Sequence, residues 1–178
     1  MTTDDEKTCL EALRTAETTG ELQGLEIEVW TGGGQPPPYY RSDQFRLLSG
    51  GGRDTIQFAR PLYYPGREPS TLIEKFMMDA RPDEVKTVAR LIREGYIFTM
   101  RYPEEENPGV ADAFSTEVIV TVYGKEYQRR YFRRVPEAVE PLLDEVRRLT
   151  AKVKRGGKRA LFDKGKEVPE PPVTPANP

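Results

Sequence analysis

The sequence predicts an α+β fold: an antiparallel sheet of about six strands with two main helices packed on one face. Three observations predict it. Apolar residues switch twice from a period of 2 to a period near 3.6, first before residue 82 and again before residue 136. The stretch Thr116–Arg134 reads as a hairpin, with a β-branched arm over Val118–Val122 and an alternating arm over Tyr127–Arg134. Each apolar helical pattern is led by a proline, Pro82 and Pro136. The order strand, hairpin, helix then repeats loosely, which is a ββα-type duplication of about 60 residues per unit.

The chain of 178 residues suits one domain with tails. A folded part of roughly 130–150 residues buries enough surface to need no staple. Residues 1–20 are read as an N-terminal helix or arm, 21–154 as the domain, and 155–178 as a mobile tail, basic and then proline-rich.

Thr3–Thr19 has a capping residue, an acidic start in Asp4, Asp5 and Glu6, and Gly20 as a stop. Its apolar stripe is thin (Cys9, Leu10, Leu13, Ala16), so weak docking is expected. Leu25–Trp30 alternates as a strand, with Leu25, Ile27 and Val29 on one side and Glu26, Glu28 and Trp30 on the other. Residues 31–43, TGGGQPPPYYRSD, read as a long loop carrying Tyr39 and Tyr40. No helix follows the glycines, so they do not form a phosphate cradle. Gln44–Leu48 and Thr55–Ala59 form a second hairpin in which Phe45 and Leu47 match Ile56 and Phe58. Leu72–Met78 is either a short helical turn or an edge strand.

A helix opens at Pro82 with Asp83 and Glu84 in its first turn, and Gly95 stands at its end. Tyr96–Tyr102 is read as a strand, and Pro103–Ser115 as an acidic loop. In the main hairpin, Gly124-Lys125 is read as the two-residue turn. Pro136–Val153 shows helical spacing through Val139, Leu142, Leu143, Val146, Leu149 and Val153. Pro141 predicts an irregular first turn there.

Taken in order, PPPYYRSDQFRLL, RPDEVKTVARLI, VYGKE and VPEAVEPLLDEV span roughly residues 24–153. This arrangement resembles a group of uncharacterised bacterial domains with the same hairpin-plus-helix layout. The resemblance implies the fold and brings no activity.

Composition removes several chemistries. There is no histidine, so Ser-His and Cys-His nucleophile pairs and His-containing zinc sites are excluded. Cys9 is the single cysteine, so no intrachain disulfide forms. The acidic N-terminus lacks the pattern of a signal peptide, and no apolar run approaches a membrane span; a cytoplasmic protein with no membrane partner is expected. The acidic loop residues Glu104, Glu105, Glu106 and Asp112 match no EF-hand spacing, and neither metal nor cofactor is assigned.

The net charge of −2 is unevenly spread. Residues 1–28 carry eight acids and two bases, and residues 147–166 nine bases and one acid. Such a basic end suits either a solvated helix running into a tail or contact with an anionic partner.

The favoured function is a non-enzymatic binding or interaction domain. Its expected contact surface is Tyr39, Tyr40, Tyr127, Arg129, Tyr131 and Arg133, because aromatic and arginine side chains concentrate at interface centres. The partner is another protein or a second copy. Two alternatives remain. One is nucleic-acid binding through the basic aromatic hairpin 123–134. The other is a His-independent enzyme using Glu26, Glu28 and Asp112.

Overall fold

A computed structural model describes residues 3–32, 42–62, 72–99, 115–132 and 134–170. Tyr39, Tyr40, Arg133 and the acidic loop with Asp112 lie outside them. The elements run α1 (Thr3–Thr19), β1 (Leu25–Gly32), β2 (Ser42–Gly50), β3 (Arg53–Pro61), β4 (Leu72–Asp79), α2 (Pro82–Glu94), β5 (Ser115–Val122) and β6 (Lys125–Phe132). A 3₁₀ turn (Glu137–Val139), α3 (Glu140–Gly156), β7 (Lys158–Asp163) and β8 (Lys166–Val168) follow. The fold is α+β, and every neighbouring strand pair is antiparallel in one sheet ordered β6-β5-β1-β2-β3-β4-β7-β8.

Alternation divides the sheet into two faces. The inner face carries Leu25, Ile27 and Val29 of β1, Phe45 and Leu47 of β2, and Val118 and Val120 of β5, all buried. They join Val85, Val88 and Ile92 of α2 and Leu142, Leu149 and Val153 of α3 in one apolar cluster. Cys9, Leu13 and Ala16 of α1 belong to it as well. The thin stripe of α1 therefore docks against α2 with Cys9, Leu13 and Ala16 all buried, which is firmer than expected from sequence.

Ion pairs tie the helices together. Glu84 of α2 has a fully buried carboxylate that accepts from Lys152 Nζ of α3 at 2.5 Å and from the Arg81 N–H at 3.0 Å. Arg93 of α2 donates to Glu17 of α1 at 2.8 Å.

Four expectations are corrected. The sheet has eight strands, not about six. β4 is a strand but not an edge, since β7 pairs along it. Residues 158–168, expected in a mobile tail, form the β7–β8 hairpin. Gly157 makes that possible: a Cβ there would meet the Val153 carbonyl oxygen at 2.6 Å and the Met77 carbonyl oxygen at 2.9 Å. Only glycine lets the chain leave α3 this close to β4. Finally, Tyr96–Thr99 is a turn and not the start of a strand. Gly95 keeps a right-handed conformation against the Ala138 carbonyl, and Tyr96 takes the left-handed one with φ of 53°.

The main hairpin turns one residue earlier than expected. Val122 pairs with Lys125, and Tyr123 and Gly124 both have positive φ, 47° and 84°, as a type I′ turn requires. Pro141 sits in the first turn of α3, directly after the 3₁₀ turn, where its missing N–H costs nothing. Among the described residues no helix is long and apolar enough to cross a membrane.

Candidate binding surface

The alternation of β6 is as expected, but its faces have the opposite exposure from that of a contact surface. Tyr127, Arg129 and Tyr131 point inward and are 6%, 7% and 3% exposed. The two rings extend the apolar cluster. Arg129 donates to the carbonyl oxygens of Ile97 at 3.0 Å and Thr99 at 3.5 Å. These carbonyls follow α2 and lack helical partners, so a buried guanidinium satisfies them. An inward charge on the last strand of a sheet also discourages further strand pairing. These three residues are therefore corrected from surface to interior: neither a protein nor a stacked base reaches them without unfolding the edge. Tyr39, Tyr40 and Arg133 lie outside the described residues.

The remaining face of the sheet has the character of a surface. Its residues fall in cross-strand rows set by the register. One row runs Arg130, Glu117, Trp30, Gln44, Ala59 and Lys75 from β6 to β4. The next runs Gln128, Ile119, Glu28, Arg46, Gln57 and Met77. Except for Ala59, these side chains are half-buried or exposed.

The β1 end of this face is a polar network centred on Glu28. Its carboxylate accepts from Trp30 Nε1 at 3.1 Å, Gln44 Nε2 at 2.8 Å and Arg46 Nη2 at 2.9 Å. Glu26 lies 3.9 Å from the same guanidinium. Beside it, Arg130 grips Glu117 at 2.6 Å. These contacts fix the Trp30 indole edge-on to a carboxylate and leave its ring on the sheet surface. The β4 end is apolar. Ile73 and Met77 are 39% and 42% exposed. Ile73 pairs with Phe162 of β7, over whose ring Lys75 Nζ stands at 4.5 Å. Apolar side chains of this size, grouped and rimmed by charge, mark contact sites.

The carboxylates are occupied structurally. Glu26 and Glu28, proposed from sequence as a catalytic pair with Asp112, neutralise Arg46 on an open sheet face; Asp112 lies outside the described residues. Glu74 is 3% exposed on the inner side of β4, where Arg60 and Arg159 each donate to it at 2.6 Å. Burial alone would push its carboxyl up; the hydrogen bonds from Arg159 and Arg60 outweigh burial and hold it below the usual range. A cleft of about 480 Å³ is lined by Glu21, Asp54 and Asp79. There Asp54 accepts the Leu22 N–H at 2.9 Å and Asp79 pairs with Arg53 at 3.5 Å. A second cleft, between Phe45, Phe58 and Val146, measures about 210 Å³, below the range of most small-molecule sites. Among the described residues no cluster of three or more acidic or cysteine ligands could hold a metal ion.

Sequence alternation already separates Trp30, Glu26 and Glu28 from the core side of β1. Ile73, Met77 and Phe162 are not foreseeable in this role without knowing that β4 and β7 pair. No protein-family model matches the chain, and no curated protein matches it significantly.

Proposed function

We propose that this chain is a non-enzymatic interaction domain whose contact surface is the outer face of the sheet, with α1, α2 and α3 roofing the opposite face. The observation that carries this reading is the exposed Ile73 and Met77 on β4, with Phe162 beside Ile73, at one end of a face whose β1, β2, β5 and β6 strands carry the paired charges of Glu28, Arg46, Glu117 and Arg130. Exposed apolar side chains next to paired charges and an aromatic ring have the makeup of a protein–protein contact. Side chains on strands hold their geometry before binding, which lowers the ordering cost.

The basic-hairpin reading for nucleic acid is less well supported, since two of its four rings are buried and Arg130 is paired with Glu117, although Tyr123 is exposed. The carboxylate-enzyme reading rests on Glu26 and Glu28, which already face Arg46, and on Asp112, which lies outside the described residues.

The test is affinity capture from the source cells with the wild-type chain and with Ile73→Glu/Met77→Glu. Both positions are exposed, so the variant folds. The expected result is a partner held by the wild type and lost by the variant. An unchanged set of captured proteins would remove the outer face from consideration.

A further inference from the structure

We infer that the partner of the outer face is a second copy of this chain, stacked sheet on sheet about a twofold axis that runs along β2. This rests on the contact-surface reading above and names its occupant. A twofold axis parallel to the strands reverses strand order across the interface while keeping each row opposite itself. With the axis at β2, β1 of one copy meets β3 of the other, β5 meets β4, and β6 meets β7.

Three pairs in these two rows are complementary under that operation. Ile119 of β5 falls opposite Met77 of β4 in the same row, so two apolar residues meet. Glu117 falls opposite Lys75, which would share that carboxylate with the Arg130 already bound to it at 2.6 Å. Trp30 falls opposite Ala59, so the largest ring meets the smallest side chain. Each contact occurs twice. At the axis the two Arg46 side chains approach each other, but each is held by Glu28 at 2.9 Å with Glu26 at 3.9 Å, so no net positive charge meets another. The reverse strand order is needed for this. Stacking β4 on β4 would set Lys75 on Lys75.

The area also suits a dimer. Seven strands about 4.8 Å apart, each about eight residues at roughly 3.4 Å, give a face near 900 Å². A standard interface takes about 800 Å² from each partner. Sheets stacked in this way keep their strands within about 30° of each other.

The experiment uses the full chain. Sedimentation velocity across a concentration series reads the monomer–dimer equilibrium, and Met77→Glu is expected to weaken it about 100-fold, because each change is counted at two equivalent contacts. Ile119→Cys/Met77→Cys then tests the register. Within one chain these positions are four strand spacings apart, roughly 19 Å, beyond the reach of a thiol cross-linker about 10 Å long. Stacked sheets lie about 10 Å apart, too far for a disulfide, so a bismaleimide of about that span is the probe; it should give a covalent dimer from the double variant and none from either single variant. Cys9 does not interfere because it is buried. A chain that stays monomeric at every concentration overturns the inference. So does a dimer that ignores Met77→Glu and fails to cross-link. If the chain is monomeric but Ile73→Glu/Met77→Glu still loses a captured protein, only the identity of the partner falls; if capture is also unchanged, the surface falls with it.

Discussion

Glu84 and Lys152 meet at 2.5 Å across the contact between α2 and α3, and the carboxylate has no solvent-exposed surface. The glutamate also closes the start of its own helix by accepting the Arg81 N–H. One side chain thus fixes both where α2 begins and how α3 lies on it. Removing only the lysine leaves the buried carboxylate with the Arg81 guanidinium, at 3.5 Å, as its remaining cation. Lys152→Ala should cost about 2–3 kcal/mol in chemical denaturation, a value set below the fully buried case because the lysine is partly exposed. Glu84→Gln/Lys152→Met should recover more than half of that loss. Equal stability of the two variants would show that the pair is not coupled.

Glu74 gives the fold an acid limit. Its carboxyl is lowered in the folded state by Arg159 and Arg60, so the unfolded chain binds the proton more readily. The stabilisation is complete above the ordinary glutamate value, near 4.5, and is lost as pH falls through the depressed folded value. Stability of the wild type should therefore drop steeply below about pH 4.5. In Glu74→Gln the same acid limb should be flatter, with lower stability at neutral pH. Parallel curves for the two proteins would contradict this assignment.

Two glycines near the end of the chain separate space from backbone angle. A side chain at Gly157 collides with two carbonyl oxygens, while one at Gly165 meets open space but must accept a φ of +81°. Gly157→Ala should cost about 2–4 kcal/mol and loosen β7 from β4, because backbone on both sides must move. Gly165→Ala should cost about 1 kcal/mol, the penalty of the left-handed conformation. Thermal melts rank the two; the opposite order would mean that β7 does not pack as described.

Cys9 reports on the docking of α1. Burial pushes its thiol up to about 12, and no thiolate forms at neutral pH. A thiol reagent at pH 8 should leave the native chain unmodified and react at once in denaturant. Fast reaction without denaturant would show α1 lifting from the core.

Much of the architecture is legible in the chain. β1, the β2–β3 hairpin, α2, the β5–β6 hairpin and α3 follow from periodicity, capping and turn residues, which are local signals. What is not legible depends on distant partners. The β7–β8 hairpin reads as a solvated tail because Lys158, Arg159, Lys164 and Lys166 dominate its composition. Yet Arg159 is recruited by Glu74, more than 80 positions earlier in the sequence. The contact surface is misread from sequence for the same reason. Arg129 and its flanking tyrosines look like an exposed aromatic and cationic stripe, but the arginine answers the carbonyls of Ile97 and Thr99. Charge predicts exposure only until a buried acceptor claims it.

Met77 and Met78 sit side by side on β4 and point to opposite faces, which makes them an internal comparison. The most direct measurement is hydroxyl-radical oxidation of both, read by mass spectrometry, in dilute purified protein and in the source cells. The outer-face account predicts ready oxidation of Met77 in the dilute chain and strong protection in cells, with Met78 unchanged between the two. Equal oxidation of Met77 in both settings would contradict it.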